Sequence, residues 1–127
     1  MKCLVVDDSA ITRRILVNSL RTIGFTKILE AGDGKQALEL CDGTVDVVLT
    51  DWNMPGMAGV ELVRSLRANP EFASLPVLLI TSRNGKEDVV EAANAGIDGY
   101  IVKPFTPEIL KLKIEEVLHR DSATGTD

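Results

Sequence analysis

Three stretches of the chain, Lys2–Asp7, Val45–Thr50 and Pro76–Thr81, are apolar with almost no polar alternation, and each ends on an acid or a hydroxyl. A strand with one wet face alternates; a strand buried on both faces reads as a continuous apolar run, which belongs to a parallel sheet covered by helices on each side. The segments between them carry apolar residues at helical spacing. Ile11, Ile15, Leu16, Leu20 and Ile23 follow an N-cap at Ser9 and stop at Gly24. Gly34–Cys41 repeats the pattern with Ala37, Leu38 and Cys41. Val60, Leu62, Val63 and Leu66 form a third helix that Asn69-Pro70 ends, and Val89 to Ala95 a fourth that Gly96 closes. Thr26–Ala31 and Gly99–Val102 supply two further strands. Thr106-Pro107-Glu108 opens a last helix with an N-cap, a proline at the first helical position and an early acid. Strand and helix alternate five times, which predicts an α/β fold with a doubly wound parallel sheet.

With 127 residues the chain is one domain, expected over 1–120, followed by a disordered polar tail at 121–127. The net charge of −5 and 4% aromatic content speak against a nucleic-acid surface, which needs clustered cations or stacking rings. The densest basic spot, Arg13-Arg14, fits either a kinase-docking patch on the first helix or a solvated helix face. No apolar run approaches the ~20 residues of a membrane span. The apolar start turns acidic at Asp7-Asp8, too soon for a signal peptide, so a cytoplasmic monomer without direct nucleic-acid contact or membrane insertion is expected. Cys3 and Cys41 lack CxxC spacing and fall on apolar positions, as buried inert thiols do.

In an open parallel sheet, chemistry collects beyond the carboxyl ends of the strands. The strands end in Asp7-Asp8, Glu30-Ala31-Gly32, Asp51, Thr81-Ser82 and Lys103-Pro104. Crowded carboxylates favour a proton or a divalent cation, and a hard cation held by few carboxylates and several waters suits Mg2+. Adding the Lys103 ammonium and the Thr81 hydroxyl makes a site for a phosphoryl group. With no cysteine or histidine at these positions, the nucleophile is a carboxylate. Asp51, followed by a loop, is the best candidate, with Asp7 and Asp8 as a cation-holding pair.

Val5-Val6-Asp7-Asp8, the run Asp51-Trp52-Asn53-Met54-Pro55-Gly56-Met57-Ala58-Gly59, Thr81-Ser82 and Gly99-Tyr100-Ile101-Val102-Lys103-Pro104-Phe105 together resemble the receiver domains of two-component response regulators. Within them, the stretches at Asp51 and Lys103 resemble the CheY-like single-domain chemotaxis regulators. The resemblance spans about residues 2–120 and implies a flavodoxin-like five-stranded sheet of order 2-1-3-4-5 with five helices. It implies that Asp51 accepts a phosphoryl group from a histidine kinase and that the protein catalyses only its own phosphorylation and dephosphorylation. Asp8 would bind Mg2+ directly, Asp7 mostly through water, and Asn53 through its backbone carbonyl. Thr81 and Lys103 would bind phosphoryl oxygens. Thr81 and Tyr100 would act as the switch, changing partner affinity on the face of the fourth helix, fifth strand and fifth helix. The Lys103-Pro104 bond would be cis. A CheA-like kinase and an output protein such as a flagellar switch are the implied partners.

Ala58 stands where many receivers carry Asp, away from the phosphate site. Asn53 and Arg83, each two residues beyond a site residue, are the expected rate-tuning positions. Arg83 replaces what is often an acid, and would shield the phosphoryl group or pair with it. Trp52 reads as a loop side chain that could report metal or phosphate by fluorescence, and His119 as favourable at a helix C-terminus rather than a ligand. Gly32-Asp33-Gly34-Lys35-Gln36-Ala37 fits a dinucleotide pattern, but it follows an edge strand, and Asp33 is an ordinary N-cap. The alternatives are a receiver cut from a larger regulator and a small aspartate-nucleophile phosphatase. The latter wants a second acid where Ser9 stands.

Overall fold

The apolar runs become the interior of one sheet. The computed structural model describes the backbone of residues 1–126 and side chains through residue 118. Along the chain run β1 (Lys2–Val6), α1 (Ala10–Thr22), β2 (Lys27–Ala31), α2 (Gly34–Leu40), β3 (Val47–Thr50), α3 (Gly59–Ala68), a 3-10 turn (Pro70–Phe72), β4 (Val77–Thr81), α4 (Lys86–Ala95), β5 (Gly99–Val102) and α5 (Pro107–Thr126). The five strands lie in the order β2-β1-β3-β4-β5 and every pair is parallel. This is the expected flavodoxin-like arrangement.

Alternate strand residues point into two separate cores. Leu4, Val6, Val48, Val77 and Leu79 meet Ala37, Leu62, Val63, Leu66 and Ala92 from α2, α3 and α4. Cys3, Val5, Leu49, Leu78 and Ile80 meet Leu16, Leu20, Leu110 and Ile114 from α1 and α5. Burying these side chains supplies the main driving force for the fold, at roughly 1.5–3 kcal/mol for each Val, Leu or Ile. Both cysteines are buried free thiols. Not every apolar helix position is used: Ile11, Ile15, Val89, Val90, Ile109 and Leu112 face solvent.

Three helices start on side-chain caps. Ser9 Oγ accepts the Thr12 N–H at 3.2 Å, Asp33 Oδ1 the Gln36 N–H at 2.7 Å, and Thr106 Oγ1 the Ile109 N–H at 3.2 Å. Several boundaries shift by one residue, and two element starts differ from the sequence expectation by more than that. β3 starts at Val47 because the Val45 N–H turns back to the Asp42 carbonyl at 3.2 Å. α4 starts at Lys86, three residues before its first apolar position, because the Asp88 carboxylate accepts the Gly85 N–H at 3.3 Å. A polar start of that kind leaves no trace in apolar spacing. The domain end expected at residue 120 and the tail at 121–127 remain expectations: α5 continues as helix to Thr126, and side chains from His119 onward lie outside the described residues. No helix among the described residues is long and apolar enough to cross a membrane.

Candidate functional site

The parallel register delivers the strand ends to one edge. The Asp51 N–H donates to the Val6 carbonyl at 2.9 Å, the Lys103 N–H to the Thr81 carbonyl at 2.8 Å, and the Asp7 N–H to the Ala31 carbonyl at 3.1 Å. Side chains separated by up to 96 positions thereby converge: Lys103 Nζ lies 3.3 Å from Asp51 Oδ2 and 3.5 Å from Asp7 Oδ2. Asp7, Asp8 and Asp51 each bring a carboxylate oxygen to within 4.8 Å of the others.

One ammonium faces three carboxylates, so the cluster is short of positive charge. Asp7 is 1% exposed, and burial pushes its carboxyl above the ordinary range. The Ser9 N–H, at 2.8 Å, and Lys103 pull the other way, and Asp51 adds to the rise. An all-oxygen donor set with unbalanced charge, partly open through Asp8, fits a hard divalent cation better than a soft one. Asp51 is held by its own loop, with Oδ1 accepting the Trp52 N–H at 2.6 Å. The Lys103–Pro104 bond is cis.

The other expected site residues form a second group alongside. Arg83 places its guanidinium over the Trp52 ring, 4.7 Å from the centroid, and forks onto Asn53 Oδ1 from Nη2 at 2.9 Å and Nε at 3.2 Å. The Arg83 N–H donates to Thr81 Oγ1 at 3.1 Å, and the Tyr100 hydroxyl donates to the Arg83 carbonyl at 2.6 Å. Thus Asp7, Asp8, Asp51 and Lys103 meet directly, whereas Asn53, Thr81 and Tyr100 meet through Arg83.

Two residues to which the sequence reading gave no part in the site hold the cluster in place, one of them from the basic pair read as a kinase-docking patch or a solvated helix face. Arg13 turns inward: Nη1 donates to the Asp7 carbonyl at 2.5 Å, and Nε lies 3.4 Å from Glu30. It is therefore half-committed to the site, and only Arg14 of that pair is exposed. Gly59 lets the first turn of α3 sit against the nucleophile's backbone; a Cβ there would stand 2.1 Å from the Asp51 carbonyl oxygen. Its place eight residues beyond Asp51, opening a helix, was the available signal. The glycine-rich decoy has a packing explanation, since a Cβ at Gly34 would meet Met57 Sδ at 2.6 Å. Ser9, where a phosphatase would carry its second acid, is the N-cap of α1.

Residues 3–115 match the family model described as response regulator receiver domain. The chain belongs to the receiver domain family. Among curated relatives, this receiver is 49% identical over 121 residues to the chemotaxis protein CheY of Pseudomonas aeruginosa, covering 94% of this chain and 98% of that one. It is 50% identical over 121 residues to CheY-3 of Vibrio cholerae, covering 94% and 93%. Among solved structures, chemotaxis protein CheY4 of Vibrio cholerae superposes with a TM-score of 0.86 at 35% identity, covering 92% of this chain and 98% of that one.

Proposed function

We propose that this receiver is the phosphorylation-controlled element of a chemotaxis-type two-component relay and that Asp51 is its phosphoacceptor. The observation that carries the reading is the meeting of the Asp51 carboxylate with Lys103 at 3.3 Å inside an acidic cluster that invites a cation. An Asp51 oxygen bonds to the phosphorus of a phosphohistidine on a CheA-like kinase. The P–N bond breaks, and the imidazole leaves and takes a proton from solvent. Hydrolysis reverses the charge state: a water oxygen bonds to phosphorus, the P–O bond to Asp51 breaks, and inorganic phosphate departs. The protein catalyses only these two steps, on itself.

Asp8, Asp7 and Asp51, with the Asn53 carbonyl, would hold Mg2+. When bound, that ion offsets charge on the phosphoryl oxygens. Lys103 offers its ammonium to one phosphoryl oxygen and Thr81 its hydroxyl to another. Phosphorylation exchanges a single carboxylate charge for roughly −1.5 to −2 and adds acceptors. Thr81, released from the Arg83 N–H, moves toward them, and the Tyr100–Arg83 contact carries the shift to the face of α4, β5 and α5. Val89, Val102, Ile109 and Leu112 are exposed apolar side chains on that face, which suits a partner-binding surface. The names of the relatives support a chemotaxis output; we take the partner to be a flagellar switch protein and the compartment to be the cytoplasm.

The test is incubation with acetyl phosphate and Mg2+, followed by intact mass. One phosphoryl group on the parent and none on Asp51→Asn is expected; equal labelling of both removes the assignment.

A further inference from the structure

Arg83 was expected to act on the phosphoryl group, yet its guanidinium is already occupied. One face rests on Trp52, the fork grips Asn53, and Nη1 lies 3.3 Å from Asp88 Oδ1 in the first turn of α4. Of these three partners only Asp88 carries charge, and only Asp88 belongs to the helix whose exposed face is proposed to switch. Asp88 also accepts the Gly85 N–H, so it is fixed to the start of α4 and follows that helix. The pair is solvent-accessible, with side chains 42% and 28% exposed, so it adds little to the stability of the fold and breaks easily.

We propose that Asp88 is a positioning residue for the phosphoryl site: it tethers the Arg83 guanidinium to α4 and away from Asp51. Displacement of α4, by phosphorylation or by a partner seated on that face, releases the arginine toward the phosphoryl oxygens. There it stabilises the bound group and screens it from water. Coupling is reciprocal, so the state of α4 sets the phosphate lifetime through this one side chain. The proposal rests on the phosphoacceptor reading of Asp51.

The test is a double-mutant cycle. Asp88→Asn keeps an oxygen for the Gly85 N–H and replaces the charged oxygen that faces Arg83 with a neutral NH2. It is expected to lengthen the half-life of phosphate loaded from acetyl phosphate by about two- to fivefold, the scale of an exposed ion pair, with an unchanged melting temperature. In the Arg83→Ala background the same substitution is expected to leave the half-life where it is. Trp52 emission, read without any phosphodonor, is expected to change on Asp88→Asn in the parent and not in the Arg83→Ala background. An unchanged or shortened half-life in the parent, or the same change in both backgrounds, overturns the tether. If the parent takes up no phosphoryl group, the Asp51 reading fails instead. The emission cycle then decides the tether alone: additive or absent effects refute it.

Discussion

At the scale of single residues the site is assembled against its own electrostatics. Asp7 brings a carboxylate to a position 1% exposed, beside Asp51, with one lysine to balance both. Its folded pKa lies above the ordinary value. The charged form is thus less stable inside the fold than in the unfolded chain, and removing that charge favours folding. Asp7→Asn is expected to raise metal-free stability, and to lose the stabilisation that Mg2+ gives the parent. Urea titrations with and without Mg2+ check both halves. Gly59 is the opposite case, a residue whose value is what it lacks. A Cβ would meet Asp51 O at 2.1 Å and Trp52 Cα at 3.0 Å, both backbone atoms that cannot rotate away. Gly59→Ala is expected to cost about 1–3 kcal/mol and to weaken the Mg2+ response of Trp52 fluorescence in the molecules that still fold. Asp51 and Lys103 were legible in the sequence because strand ends can be counted along a chain. The Arg13–Asp7 and Gly59–Asp51 contacts were not, because each depends on how closely a helix packs on the sheet.

At the scale of elements, α4 is the thinly seated helix. It buries only Ala92 and Ala95 and leaves Val89 and Val90 exposed, whereas α3 buries Val60, Leu62, Val63 and Leu66. Its amides are expected to exchange hydrogen faster than those of α3, a comparison that exchange mass spectrometry makes directly. What holds its far end is Arg67, which donates to the carbonyls of Gly96 at 2.9 Å, Phe72 at 3.1 Å and Leu75 at 2.8 Å, and to Asp98 at 2.8 Å. Asp98 in turn accepts the Val77 N–H at 2.8 Å at the start of β4. Arg67→Ala strips a half-buried carboxylate and three carbonyls of a shared donor, and is expected to cost about 2–4 kcal/mol in denaturant unfolding. Nothing in apolar periodicity marks Arg67, which reads as one more exposed helical cation. The same blindness moved the start of α4 to Val89, since Gly85 and Asp88 begin it with polar contacts alone.

At the scale of the molecule, one layout produces both the stability and the chemistry. Strands buried on both faces must be parallel and helix-covered, and parallel strands all finish at the same edge. The chain therefore gathers acids, a hydroxyl and an ammonium from four stretches that lie far apart in sequence. The same burial pushes the Cys3 thiol well above its ordinary 9.0. The folded chain keeps that proton where the unfolded chain loses it, so stability falls as pH rises past about 9. The parent is expected to lose about 1 kcal/mol per pH unit there relative to Cys3→Ala. The decisive event at this edge is the formation of one covalent bond, at Asp51. Reducing the phosphorylated protein with borohydride converts an acyl phosphate to an alcohol at the modified residue, and peptide mass spectrometry locates it. Conversion at residue 51 is the predicted result; conversion at residue 7 or 8 with residue 51 intact would contradict it.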